Sequence, residues 1–68
     1  MLSKSQEKRA LRIMREGVHD FVDECRDVNT TSMAESVFVD LDCEDDDELE
    51  ELFELSFKIS EEWDKRPW

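Results

Sequence analysis

The chain has one glycine, one proline, one histidine and two cysteines among 68 residues. With Gly17 as the sole glycine, there is no Gly-rich loop to cradle a phosphate. His19 is the sole histidine, and no Ser/His/Asp constellation assembles around it. A chain this short also leaves little room for a ligand-sized cavity, so neither an enzyme nor a cofactor is expected. Cys25 and Cys43 fall in no Cys-x-x-Cys or Cys/His spacing, which argues against a zinc site. They permit one disulfide in an oxidising compartment, but placing Cys25 on an apolar helix face favours two reduced thiols. No apolar run approaches membrane-spanning length. The opening MLSKSQEKRALRIM lacks the apolar core and small-residue cleavage site of a signal peptide. A cytoplasmic protein that binds no membrane is expected.

Basic residues are scarce too. Nine Lys and Arg face twenty Asp and Glu, for a formal net charge of −11. Such a chain repels nucleic acid and anionic membrane and is drawn to basic surfaces. Its 38% apolar content, set in clean helical register, opposes disorder. Residues 1–68 make one small domain, which buries only about 60% of the surface exposed on unfolding and gains from a partner or a second copy.

The segment from Asp45 to Lys65, DDDELEELFELSFKISEEWDK, carries most of the information. At about 100° per residue, Leu49, Leu52, Phe53, Leu55, Phe57, Ile59 and Trp63 gather on one side, with Ser56 and Ser60 among them. Asp47, Glu50, Glu51, Glu54, Lys58, Glu61, Glu62 and Lys65 gather on the other. Asp45 or Asp46 can cap this helix, early acids suit its dipole, and Pro67 ends it. Glu54–Lys58 and Glu61–Lys65 are four-residue pairs in the favourable order.

Upstream, Ser3 with Gln6, or Ser5, can cap a helix. Leu11, Met14, Val18, Phe21, Val22, Cys25 and Val28 then form one apolar stripe, with Ile13 on the opposite side. Gly17 is tolerated inside this helix or allows a close approach of another. Lys8, Arg12, Arg15, His19 and Arg26 line one flank, placed to pair with carboxylates of the same chain. Asn29-Thr30-Thr31-Ser32 ends the helix. In residues 33–43, the alternation of Val37, Val39, Leu41 and Cys43 suggests a strand. The Ser32/Glu35 capping pair and the shared face of Met33, Val37, Phe38 and Leu41 favour a short helix instead. The predicted fold is all-α, a three-helix arrangement at about 5–28, 32–42 and 45–65, with a dimer in view. The alternative is α+β with 36–43 as a strand.

Asp40, Asp42, Glu44, Asp46, Glu48 and Glu51 match an EF-hand register, but Asp45 stands where the loop needs glycine and Asp47 where an apolar residue belongs. No specific metal site is expected. Charge density is more telling. Residues 44–54 hold eight carboxylates in eleven positions, one per about 2 Å of helix, near the one per about 1.7 Å of duplex DNA. Small size with dense acid resembles, as a class, virus-encoded inhibitors that mimic nucleic acid. The expected function is an acidic decoy that binds a basic nucleic-acid-binding protein, and no nucleic acid directly, through Asp45, Asp46, Asp47, Glu50, Glu51 and Glu54. Leu55, Phe57, Trp63 and Trp68 form an apolar edge for partner or dimer contacts, since the apolar arc of about 200° exceeds what one core contact needs. The rival is a helical assembly module whose acids serve solubility.

Overall fold

The computed structural model describes residues 1–25 and 27–65. Three helices make up the fold: α1 (Lys4–Gly17), α2 (Thr30–Asp40) and α3 (Asp46–Lys65). A single 3-10 turn, Val18–Phe21, extends α1. The expected all-α three-helix arrangement is what the chain adopts. Residues 33–40 are helical, so the strand alternative does not apply.

α1 starts on a full capping box. The Ser3 hydroxyl accepts from the Gln6 amide at 3.1 Å, and the Gln6 side chain accepts from the Ser3 amide at 2.9 Å. The helix stops well short of the expected residue 28, for two local reasons. Gly17 weakens helix by up to about 1 kcal/mol relative to Ala, and the chain tightens into the 3-10 turn there. Asp23 then draws the backbone away from helix, its Oδ1 accepting from the Cys25 and Asp27 amides at 2.9 and 3.1 Å. A lone antiparallel bridge, Val22 to Val28, closes this loop. Cys25 is therefore exposed instead of lying on an apolar helix face. Ile13, expected outside, packs half-buried against the core.

α2 is capped by Asn29, whose side chain accepts from the Ser32 amide at 3.1 Å, and not by Ser32. The Asn-Thr-Thr-Ser run thus opens α2 instead of closing α1. Met33, Val37 and Leu41 are buried as their spacing predicts, and Val39 faces solvent at 71% exposure. At its C-terminus the Asp42 amide donates to Val39 O and the Cys43 amide to Phe38 O. That is a Schellman motif, with Asp42 at the left-handed position (φ 55°) usually given to glycine. In α3 the Asp45 carbonyl accepts from the Glu48 and Leu49 amides, so Asp45 sits at the N-cap.

The core joins Leu2, Ala10, Met14, Val18, Val28, Met33, Ala34, Val37, Leu41, Leu52, Leu55 and Ile59. α3 packs most extensively on α2 and less on α1. The one buried polar side chain among the described residues, Ser56, donates to the Phe53 carbonyl at 2.7 Å, so its hydroxyl is satisfied within its own helix.

Two substitutions test this account of the chain's turns. A Cβ on Gly17 would meet only Phe21 Cε2, at 3.9 Å, and the local φ of −105° suits any residue. Gly17→Ala is expected to stabilise by up to about 1 kcal/mol, raising Tm by about 4–8 °C. A lower Tm would show that Gly17 is needed for a tighter approach than this. Asp42→Gly relieves a left-handed aspartate and is expected to stabilise by about 0.5–1 kcal/mol in urea titration, while Asp42→Val should destabilise. No gain from the glycine would mean that the Asp42 side chain contributes more than its backbone strain costs.

Candidate partner-binding surface

Burial of Leu52, Leu55, Ser56 and Ile59 fixes the rotation of α3, and the opposite side must face water. Asp46, Asp47, Glu50 and Glu54 are all exposed there, and Asp45 is exposed at the N-cap. Glu51 differs. It is half-buried, and its Oε2 accepts from the Leu2 backbone amide at 2.6 Å. It ties the N-terminal segment to α3 and is less available to a partner than its neighbours. Glu48 is likewise engaged, its Oε1 accepting from the Asp45 amide at 3.4 Å.

Among the described residues, cations do little to offset these acids. Arg15 on α1 reaches Glu62 on α3 with contacts of 3.1 and 3.3 Å, as the basic flank predicts. Arg12 instead pairs with Glu16 on its own helix at 3.3 Å. His19 meets Trp63 edge-on, ring centroids 5.3 Å apart and planes at 84°. Arg26 lies outside the described residues. Among the described residues neither Glu54–Lys58 nor Glu61–Lys65 closes as an ion pair. Exposed pairs of long side chains gain too little to hold one geometry.

The expected apolar edge does not hold together as one surface. Leu55 is 6% exposed and belongs to the core, because Leu2 folds over that flank of α3. Trp63 is half-buried beside His19. Trp68 lies outside the described residues. Among the described residues of this edge only Phe57 is open, at 56% exposure. By helix phase it lies about 140° from Leu52 and about 20° from Glu50, so it stands within the acidic face and not beside the core. The same arithmetic was available from the sequence, where its apolar character grouped it with the wrong side.

Near the start of α3, an open groove of about 500 Å³ is lined by Phe38, Val39, Asp42, Cys43 and Glu44. Burial pushes the Cys43 thiol above its ordinary range, and the charges of Glu48, Asp42 and Asp45 add to this against the pull of the N-terminal ammonium. The EF-hand register does not form a loop. α2 runs through Asp40 and α3 begins at Asp46, leaving only residues 41–45 between them. Among the described residues no three His, Cys, Asp or Glu side chains come together to hold a metal ion. Nor, among them, is any helix long and apolar enough to cross a membrane. No protein-family model, curated protein or solved structure matches the chain.

The thiols differ in a way that chemistry can read. A raised pKa and partial burial leave Cys43 with less thiolate at neutral pH, so it should react with a disulfide reagent several-fold more slowly than exposed Cys25. Because the folded state holds the Cys43 proton more tightly than the unfolded chain, this group leaves stability unchanged at neutral pH. It reduces stability as pH rises through the free-thiol range near about 8.5. Equal labelling rates of the two cysteines, read by peptide mass spectrometry, would contradict this.

Proposed function

We propose that this protein is a non-enzymatic acidic decoy that occupies the nucleic-acid site of a basic protein, as virus-encoded inhibitors of this general type do. The carrying observation is the outer face of α3, where Asp46, Asp47, Glu50 and Glu54 project from one continuous 20-residue helix without cationic partners among the described residues. A helix backed by a packed core presents these charges at fixed spacing, so a complementary groove meets them without ordering a flexible chain. Long-range attraction would speed encounter, and salt would weaken the complex. Asp45 and Glu51 sit at the margins of this surface, the first at the helix start and the second committed to Leu2. The reading takes the protein to work in the cytoplasm and without a cofactor.

The rival reading, an assembly module, draws on the exposure of Phe57 and Val39. A dimer built on α3 would have to bring two copies of net charge −11 face to face, which self-repulsion opposes.

Double reversal of Glu50 and Glu54 to Lys tests the proposal and spares Glu51, which the fold uses, and Asp47, which suits the helix dipole. Binding to the basic partner recovered from cell lysate should fall by about a hundredfold or more, with helicity by circular dichroism unchanged. Wild-type binding should also fall steeply between low and moderate salt. Retained binding by the reversed variant, or indifference to salt, would sink the decoy reading in favour of assembly.

A further inference from the structure

Among the described Phe and Trp residues Phe57 is the one left largely open to water. It stands in a single ridge with Glu50, Glu54 and Glu61, seven, three and four residues away along α3. Successive members of the series Glu50, Glu54, Phe57, Glu61 are separated by rises of about 6, 4.5 and 6 Å. The ridge thus sets one protruding π-face between carboxylates. Its occupant must complement both. A second copy of the chain would set carboxylate against carboxylate, so the fitting surface is a basic groove with an apolar or aromatic slot between its cations.

Grooves with that chemistry hold single-stranded nucleic acid, where Lys and Arg follow the backbone and aromatic side chains stack on successive bases. Duplex sites are different. Where the bases stay paired their faces lie inside the stack, so a site that reads paired DNA offers no counterpart to a protruding ring. We infer that Phe57 takes the place of an unstacked base and Glu50, Glu54 and Glu61 that of flanking phosphates. The partner is then a single-strand-binding protein, an inference that rests on the decoy reading of the acidic face.

The partner captured from lysate is purified and loaded with fluorescein-labelled oligo-dT, and displacement is followed by anisotropy. Wild-type protein and Phe57→Trp should displace the oligonucleotide with similar strength. Phe57→Ala and Phe57→Leu should be weaker by about tenfold or more, with unchanged circular dichroism, as expected for an exposed position. If Phe57→Leu competes as well as wild-type, the ring is a plain apolar plug and base mimicry is overturned. It is likewise overturned if all variants compete equally, or if only a labelled duplex is displaced, and the acidic decoy then still stands. Capture of no nucleic-acid-binding protein at all removes the decoy reading and this inference together.

Discussion

Packing of the apolar stripe of α3 against α2 and α1 determines almost everything else about this molecule. Leu52, Ser56 and Ile59 are fully buried in a chain of only 68 residues, and that burial sets the helix rotation. Once the rotation is set, Glu50, Glu54 and Phe57 have no option but the solvent side. Small residues let the helices come close: Ala10 and Ala34 are fully buried alongside Met14 and Met33. The outer face is therefore a by-product of the inner one, and its spacing is as rigid as the core behind it.

Charge acts against this arrangement. Fourteen of the twenty acids lie beyond residue 28, where only three Lys and Arg accompany them. Concentrating them on one face of α3 raises self-repulsion in the compact state. The fold relieves it locally, through the favourable helix-dipole position of Asp46, Asp47 and Glu48 in the first turn, and through Arg15 reaching Glu62 near the other end. The middle of the helix, around Glu50 and Glu54, receives no such relief among the described residues. A surface that keeps its repulsion there gains most from an external cationic partner.

Much of this was legible in the sequence, and the failures have identifiable causes. α3 was readable because helical spacing runs from Leu49 to Trp63, Phe57 excepted, and outlasts the short alternation of Phe53, Leu55, Phe57 and Ile59, and the Ser3/Gln6 box marked the start of α1 correctly. The end of α1 was misplaced because hydrophobic spacing continued through Phe21, Val22 and Val28, which do pack against or within the core, but from a 3-10 turn and a bridged loop. Side-chain bonds from Asp23 and Asn29 to the backbone decided that region, and apolar periodicity does not record them. On α3, Leu55 and Phe57 were expected together on one apolar edge, and the fold separates them. The packing of Leu2 over α3, a contact between residues far apart in sequence, buried the one. The other is left 56% exposed.

The short link between α2 and α3 has a further consequence for how the chain organises its entropy. Residues 41–45 are all that separate the two helices that pack most extensively. Closing so short a loop forfeits little chain freedom, whereas bringing α1 onto α3 closes a loop several times longer. The Schellman turn at Asp42 directs the chain sharply back, so the two helices meet by local geometry and not by long-range search. The acidic ridge thus sits on the part of the molecule whose assembly depends least on distant segments. Fluctuations that detach α1 would leave a helical hairpin still carrying its charges in register.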